Sequence, residues 1–491
     1  TVSVLGIMFP LVYGVDHYLH RAAETIISQY GVVIPKTIYY IGQYVTVVTI
    51  STLLSIPIFY IDMWLVPVLA SVSIIPLAFL TIQRLIAQRA LTMFLAAIVF
   101  IVPFTSLINT TPWSLAFLFF IITFLLSLLY IQKKYRPLLG IAMSTTIAAL
   151  FIHPLGGIPA LIVSGMTIVI YELLPHLRHR LSRMSISIAA VIGASILVPM
   201  AFAINNLFST QLSIRIAPPD DTYTFIKTIG SHFFSYTSRF NVWQDTAYLL
   251  PFMFGAILVA SAIGVTLYYW NIHRMYRRAL ATLWACWLAL FINVVLVKGF
   301  VHFTSIVSYE QGVFTDRLYE ASMIVLLPFG MIALHSLLCR LYTTSKHYPL
   351  LKIASVVGFA ALMTANLYAS YPKRDAYNAY HGYMVSAANI ATVQWIAQDA
   401  GEQSHIVLAS QVVAAAAIQE YGFKQYFRRE IDGEIQDVFY YPVPTSSPLY
   451  ADYRTILSSP TYEKIYEIME TYGISKVYVV VNHYEPQYEG K

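Results

Sequence analysis

Apolar runs of about 20 residues recur along this chain from its start to about residue 370, and each is long enough to cross a lipid bilayer. Backbone groups exposed inside lipid must be hydrogen-bonded within a helix or a closed barrel. The ten-residue alternating segments that are typical of membrane barrels are absent from the sequence. The chain is therefore predicted to be a polytopic α-helical membrane protein.

Short basic clusters between the apolar runs predict which side of the membrane each loop faces. Few acidic residues accompany these clusters, and loops rich in Lys and Arg face the cytoplasm. The same pattern accounts for the net charge of +6, so no nucleic-acid partner is expected. The clusters are Arg84/Arg89, Lys133/Lys134/Arg136, Arg178/Arg180/Arg183, Arg274/Arg277/Arg278 and Arg340/Lys346/Lys352.

The basic loops divide the apolar runs into about 11 spans. The first run is short, and we expect the chain to begin inside its first membrane helix or to have been processed there. If segment 37–59 crossed, every later basic loop would change sides, so we predict a re-entrant or interfacial segment, or a hairpin, on the outer face. The other spans are predicted at 63–83, 90–108, 112–131, 138–153, 158–175, 184–204, 248–270, 279–298, 321–341 and 352–370.

The composition changes near Tyr371, which predicts a boundary between two domains. Of the 24 acidic residues, 14 lie in 371–491. Helical patterns alternate there with β-branched segments such as 475–482. We predict a transmembrane domain over 1–370 and an extracytoplasmic α/β domain over 371–491.

One segment of the predicted α/β domain is rich in Tyr and Pro and carries no helical or strand period. It covers residues 437–453, "DVFYYPVPTSSPLYADY". We predict a long ordered loop, which either covers a site in the transmembrane domain or connects two elements.

Polar residues gather in the first outer loop, 14–36, directly after the first apolar run. Asp16, His20 and Glu24 are spaced four residues apart along a helical segment. A carboxylate and an imidazole close together can remove a proton or orient a metal. The alternative is that Asp16 is only the N-cap of this helix. His17 and Arg21 are expected at the level of the lipid headgroups.

Two further groups of ionisable residues lie at the outer ends of predicted spans. His153 precedes Pro-Leu-Gly-Gly, where the helix breaks and the backbone can approach a ligand. Arg317 lies close to the hydrocarbon, where a guanidinium can bind a phosphate through two hydrogen bonds. An internal ion pair of Arg317 is the alternative, with Asp316, Glu320 or Asp16 as its partner. The other substrate-binding candidates near Arg317 are Lys298, His302 and Glu310.

Several short motifs together point to a known architecture. An outer loop carries an Asp and an amphipathic helix and leads into "PKTIYYIGQY", and two later turns read "TTPWSLAFLFF" and "IHPLGGIP". With the predicted outer α/β domain, this pattern resembles the GT-C superfamily of membrane glycosyltransferases. That superfamily includes protein O-mannosyltransferases, the aminoarabinose transferase acting on lipid A and oligosaccharyltransferase catalytic subunits. One departure is His17, since many relatives have Glu after the Asp.

The resemblance implies a transferase in the cytoplasmic membrane of a prokaryote, working at the outer face among the membrane lipids. Its donor would be a polyprenyl-phosphate-linked sugar, and its acceptor a glycan, a lipid or a protein. By position, Asp16 would be the catalytic carboxylate, with His20 beside it, and Arg317 would face the donor phosphate. If the reaction uses a divalent metal, Mg²⁺ or Mn²⁺, Asp16 would help to hold it.

Other functions predict different sequence features. A transporter or flippase of a lipid-linked or small polar substrate would favour inverted repeats and polar residues at the bilayer midplane. This sequence has no evident repeat, and its ionisable residues lie at the ends of the spans. A polysaccharide polymerase or ligase is a related enzymatic alternative, and a non-catalytic scaffold is a third class.

Overall fold

The structure of the protein is a computed structural model that describes most of the chain. The described residues are 11, 14–33, 40–83, 105–208, 214–216, 242–270, 274–303, 310, 312–345, 349–370, 384–431 and 434–481.

Helices dominate the chain before residue 371. In chain order they are α1 (Asp16–Tyr30), α2 (Ile41–Leu54), α3 (Ile58–Gln83), α4 (Pro112–Lys133), α5 (Arg136–Ile152), α6 (Pro154–Ile168), α7 (Arg180–Ser195), α8 (Leu197–Phe208), α9 (Val242–Tyr269), α10 (Arg274–Phe300), α11 (Val313–Ser345) and α12 (Pro349–Ser370). Two short strands, β1 (Ile214–Ile216) and β2 (Val301–Phe303), pair in an antiparallel ribbon.

Five of the described helices are long and apolar enough to cross a membrane, or six if the bent pair α7–α8 forms one span. These lengths and compositions are those of a helical membrane protein. The five are α3, α4, Pro154–His176, Arg277–Phe300 and Val313–Arg340. Three further apolar helices in the described ranges are shorter, namely α2, α5 and Met253–Tyr269. The run at 90–108 lies mostly outside the described residues, so the total of about 11 spans stays a prediction.

The segment predicted to be re-entrant, 37–59, contains helix α2. Its 14 residues extend about 21 Å at 1.5 Å per residue, which is less than the roughly 30 Å of a bilayer core. The helix ends at Ser55, which has a left-handed backbone with φ of 53°, and α3 begins three residues later. The length of α2 agrees with a segment that does not cross by itself.

The glycines after His153 are explained by close helix packing. A Cβ on Gly157 would lie 2.5 Å from the Leu150 backbone nitrogen, and one on Gly156 would lie 2.6 Å from the Ala116 Cβ. The helix breaks at His153 itself, which has an extended backbone between α5 and α6. The expectation that this Gly-Gly pair lets the backbone approach a ligand is therefore wrong, because neighbouring helices occupy the space.

A buried asparagine stabilises the bend between α7 and α8, whose axes differ by 46°. The Asn293 side chain of α10 accepts a hydrogen bond from the Val198 backbone N–H at 2.9 Å and donates to the Ala194 carbonyl at 2.8 Å. Both backbone groups lose helical partners at the bend, and a buried backbone group without a partner is costly. The amide thus replaces the missing bonds.

The elements after residue 384 alternate between helix and strand. They are α13 (Ala387–Ala400), β3 (His405–Leu408), α14 (Gln411–Tyr421), β4 (Tyr426–Ile431), β5 (Glu434–Phe439), α15 (Pro448–Ser458), α16 (Tyr462–Tyr472) and β6 (Lys476–Val479). Strands β3 and β6 pair in parallel, and β4 and β5 form an antiparallel hairpin. We call residues 384–481 the C-terminal unit. The predicted boundary at 370/371 stays a prediction, since residues 371–383 lie outside the described ranges.

The Tyr- and Pro-rich segment 437–453 is shorter as a loop than predicted. Its first three residues complete β5, and its last six begin α15, so the loop covers only 440–447. Pro448 stands in the first turn of α15, where its missing N–H has no helical partner to lose. The Pro-rich composition was typical of a loop, but this proline starts a helix.

Helix α1 belongs to the hydrophobic core of the C-terminal unit. Tyr18 and Leu19 are buried in the same apolar cluster as Val413 of α14. A second and larger cluster is formed by the long helices of the N-terminal part. Helix α1 also packs against α2 and α3, so it lies between the two cores.

Gly157→Ala is expected to destabilise the protein by about 1–3 kcal/mol, because the added methyl overlaps the backbone of Leu150 and a packed core tolerates such overlap poorly. The matched control is Gly165→Ala in the same helix, where the methyl meets nothing within 4 Å. Thermal unfolding in detergent should show a lower midpoint for Gly157→Ala and an unchanged or higher midpoint for Gly165→Ala. Equal midpoints for the two variants would contradict the packing argument.

Candidate active site

Asp16 is the first residue of α1, but it does not cap the helix. The N-cap is Val15, and no side chain accepts a capping hydrogen bond. Among the described residues, the Asp16 carboxylate forms no hydrogen bond or ion pair. It is exposed and interacts electrostatically with Arg317 and Glu310. The N-cap hypothesis is therefore wrong, and the carboxylate is available to a ligand.

Arg317 lies in the first turns of α11, and its guanidinium lies over the Trp113 ring, 5.3 Å from the ring centroid. The side chain is surrounded by protein, yet part of its surface stays accessible. Arg317 is therefore only partly enclosed. Within the described part of the chain, no carboxylate lies within ion-pair distance of Arg317, but Asp16, Glu320 and Asp316 attract it electrostatically. The internal ion-pair alternative therefore stays a prediction.

The Trp113 ring beneath Arg317 is held by a chain of hydrogen bonds. Its Nε1–H donates to the Ser106 Oγ at 3.0 Å, and the Ser106 hydroxyl donates to the Glu320 Oε2 at 2.9 Å. The ring also stacks on Phe117 with centroids 5.0 Å apart. Glu320 thus interacts with Arg317 through space and positions the aromatic surface on which Arg317 lies.

His153 forms part of an aromatic wall next to Arg317. Its Nδ1 accepts a hydrogen bond from the Leu155 N–H at 3.1 Å, so His153 caps α6 and Nδ1 carries no proton. The imidazole stacks on Tyr40 at 5.5 Å and meets Trp113 edge to face at 6.2 Å. Tyr40 also interacts electrostatically with Arg317. We call Asp16, Tyr40, Trp113, His153, Glu310 and Arg317 the Arg317 site.

His20 lies one layer behind this wall. It is buried, its Nδ1 is 3.0 Å from the Tyr44 hydroxyl, and its ring contacts the edge of Tyr40 at 5.3 Å. These contacts support the position of Tyr40. The catalytic role of His20 beside Asp16 stays a prediction.

Glu310 is the second carboxylate near Asp16, and it connects the site with the C-terminal unit. The Thr445 hydroxyl donates to its Oε2 at 2.8 Å. Burial and the nearby Asp16 raise the pKa of Glu310, whereas the Thr445 hydrogen bond opposes this change in pKa. The loop 440–447 thus contacts a residue of the Arg317 site.

The remaining two substrate-binding candidates are placed differently. The Lys298 Nζ and the Asp316 Oδ2 both lie beside Gly312, within 4 Å of the point where a Cβ would be. Gly312 precedes Arg317 by five residues. His302 is exposed on β2 opposite Arg215, and the structure does not bring it into contact with the described residues of the Arg317 site.

A buried polar cluster lies behind α1, and we call it the α1 cluster. Its members are His17, Arg21, Glu24, Gln43 and Asp62, each at most 7% exposed. Arg21 donates to the Asp62 Oδ2 from Nε and Nη2, both at 3.3 Å, and Gln43 donates to Glu24 at 3.0 Å. The expectation that His17 and Arg21 lie at the headgroups is wrong, since protein encloses both.

Burial sets the protonation of this cluster. Desolvation and the charge of Arg21 lower the pKa of His17 to about 3, so its imidazole is neutral. Desolvation and the charge of Asp62 raise the pKa of Glu24 well above its ordinary value. Among the described residues, neither ring nitrogen of His17 and only one oxygen of Glu24 has a hydrogen-bond partner at normal distance.

A metal bound by Asp16 would need ligands beyond the described side chains. No three His, Cys, Asp or Glu side chains in the described ranges are grouped so that they could hold a metal ion. Glu310 is a carboxylate that interacts electrostatically with Asp16. The two carboxylates do not form a complete coordination shell by themselves.

Sequence reasoning missed Tyr40, Trp113 and Ser106, although two of them lie in motifs that it singled out. Trp113 follows the capping Thr111 of α4, and Tyr40 lies in "PKTIYYIGQY". Aromatic residues in an apolar chain are more often core residues, so no local signal separated them. Comparison with protein-family models finds no match to this chain, and comparison with curated proteins finds no significant match.

Thr445→Val is expected to raise the pKa of Glu310, because the variant keeps the side-chain shape and removes the hydroxyl that stabilises the ionised form. Carbodiimides couple to protonated carboxyls, so the labelling of Glu310, measured by mass spectrometry, falls as the pH rises. The pH at which this labelling falls to half should be higher in Thr445→Val than in the wild type. Thr445→Ser keeps the hydroxyl and is the control. The same midpoint in all three proteins would contradict the contact.

Proposed function

We propose that this protein is a membrane glycosyltransferase of the GT-C type, which moves a sugar from a polyprenyl-phosphate-linked donor to an acceptor hydroxyl. The observation that carries the proposal is the pair Asp16 and Arg317. Neither side chain has an ion-pair partner among the described residues. The Asp16 carboxylate and the Arg317 guanidinium attract each other electrostatically. A phosphate donor and a hydroxyl acceptor require one cation and one base.

The surroundings of Arg317 support a phosphate ligand. A guanidinium surrounded by protein loses much of its hydration, and leaving it without an anion is unfavourable. Trp113 covers one face of the guanidinium, so its N–H groups remain available in the plane of the group. That planar fork matches two oxygens of a phosphate.

The surroundings of Asp16 support a role as a base. Its carboxylate is exposed and has no hydrogen bond from the described residues, so an acceptor hydroxyl can approach it. Glu310 lies close enough to interact with it.

In the proposed reaction, the acceptor hydroxyl transfers its proton to Asp16 as its oxygen attacks the anomeric carbon of the donor. The bond from that carbon to the phosphate oxygen breaks, and the polyprenyl phosphate leaves with the electron pair. Arg317 stabilises the negative charge that develops on the leaving phosphate. Since that phosphate leaves as an anion, no residue has to protonate it.

The aromatic wall supplies the apolar part of the proposed site. Tyr40, His153 and Trp113 present flat rings next to Arg317. Flat aromatic faces pack well against the C–H groups of a sugar ring or an isoprenoid chain. A lipid-linked donor is amphipathic, so its phosphate and its apolar chain would both find complementary groups here.

Asp16→Asn is expected to lower kcat by about 10²- to 10⁴-fold, the usual contribution of a general base, because the amide keeps the shape and cannot accept the proton. The measurement is transfer from radiolabelled polyprenyl-phosphate sugars to endogenous acceptors in membranes that contain the protein. Asp437→Asn changes an exposed carboxylate of β5 that pairs with Arg428 and is the control.

Unchanged turnover in Asp16→Asn would contradict the base assignment. Movement of an intact lipid-linked donor across vesicle membranes by the wild-type protein, with no transfer, would instead identify a flippase or transporter.

Arg317→Gln is expected to weaken the binding of polyprenyl phosphate by about 10- to 100-fold, because a hydrogen-bonded charge contributes roughly 1.5–3 kcal/mol. Titration of the purified protein with polyprenyl phosphate, followed by native mass spectrometry, measures this affinity without any reaction. Arg340 lies in the same helix, between six and seven turns after Arg317, and the variant Arg340→Gln should bind like the wild type. Equal affinities in all three proteins would exclude Arg317 from phosphate binding.

A further inference from the structure

Helix α1 carries Asp16 at its first residue and Arg21 five residues later. In an α-helix this spacing places Arg21 about 140° around the axis and about 7.5 Å further along it. The two residues therefore lie on different faces of one rigid element. Asp16 is exposed, whereas Arg21 is buried, so the position of the exposed residue depends on what the buried one contacts.

The guanidinium of Arg21 contacts two separate parts of the chain, helix α3 and helix α14. It donates two hydrogen bonds to Asp62 of α3 and one, from Nη1, to the Gln419 Oε1 of α14 at 3.0 Å. The Cζ atom of Arg21 lies over the Phe59 ring of α3, 4.4 Å from the ring centroid. One side chain thus joins α1 to the long helices and to the C-terminal unit.

These contacts resist any shift of α1. Asp62 is completely buried, and its Oδ1 has no hydrogen-bond partner among the residues that the structure describes. Moving Arg21 away would leave a buried carboxylate without its cation, which is far more costly than losing a surface ion pair. The rotation and axial position of α1 are therefore set by Arg21.

The C-terminal unit also contacts the second carboxylate of the Arg317 site. Thr445 bonds to Glu310, and Gln419 bonds to Arg21 on the helix that carries Asp16. The two contacts come from one unit, so its docking affects both acidic residues. Asp16 and Glu310 interact with each other, and their separation depends on both contacts.

We propose that Arg21 is a positioning residue for Asp16 and that Gln419 couples the docking of the C-terminal unit to this position. The inference rests on the proposed function for the role of Asp16, but the mechanical coupling does not. When the C-terminal unit is docked, the Gln419 amide oxygen accepts a hydrogen bond from the Arg21 guanidinium, which keeps the guanidinium in contact with Asp62. Helix α1 then places Asp16 near Arg317.

The test uses the full-length protein with Gln419→Leu, which removes the acceptor at similar size, and Gln419→Glu, which keeps an acceptor. Hydrogen exchange of the α1 amides should become about tenfold faster in Gln419→Leu, as expected from losing one hydrogen bond to a charged group. Gln419→Glu should retain the protection of the wild type. The matched control is Gln394→Leu, which breaks an exposed contact between α13 and Glu420 of α14 and should leave α1 unchanged.

Transfer kinetics give the second measurement. Gln419→Leu should lower kcat about tenfold with an unchanged donor KM, because Arg317 still binds the phosphate while Asp16 is misplaced. Gln419→Glu should restore kcat. Arg21→Lys keeps the charge but loses the fork that reaches Asp62 and Gln419 together, so its kcat should fall in the same way.

Unchanged α1 exchange in Gln419→Leu would overturn the proposal, and so would faster exchange with an unchanged kcat. If exchange responds as expected but the wild-type protein transfers no sugar from any donor, the proposed function fails while the coupling of Gln419 to α1 stands.

Discussion

The buried ion pair of Arg21 and Asp62 joins helix α1 to the long helix α3 in a region from which water is excluded. A pair of this kind adds little net stability, but breaking it is costly because one charge is left without its partner. The main effect of this pair is therefore to fix the position of α1 relative to α3. Helix α1 is held between two hydrophobic cores, one formed by the long helices and one by the C-terminal unit. The position of Asp16 follows from that packing.

Arg21 and Arg317 differ in their partners. This difference distinguishes the residue that supports helix α1 from the residue of the Arg317 site. Arg21 forms hydrogen bonds with Asp62 and Gln419 and is nearly inaccessible. Arg317 is also surrounded by protein, yet it lies over an aromatic ring and has no carboxylate within ion-pair distance among the described residues. A paired guanidinium stabilises an arrangement, whereas an accessible and unpaired one is a site for an anion. The proposed phosphate-binding role of Arg317 depends on this difference.

Local patterns predicted the helical character of the chain and many element ends, because these depend on neighbouring residues. Glycine is a local signal for a helix end: α1 ends at Gly31 with a left-handed backbone, and Gly401 and Gly422 follow α13 and α14. The loop 437–453 was predicted too long, because Tyr and Pro are compatible with a strand end and a first helical turn as well as with a loop. Sequence patterns singled out the polar residues of this apolar chain, but they did not predict which residues surround them.

The sequence alone determined that this is a helical membrane protein and that Asp16 and Arg317 are exceptional charges near the ends of apolar runs, since hydropathy and charge are local properties. Only the tertiary structure decided which charges pair. His17, Arg21 and Glu24 follow Asp16 within one helix, and a polar helix face reads the same whether it meets water, headgroups or protein. Asp62 and Gln419 lie 41 and 398 residues away from Arg21 in the chain. Their contacts with Arg21 bury that face of the helix, whereas Asp16 stays exposed. The physical reason is that pairing depends on distances between elements remote in the chain, which no local pattern encodes.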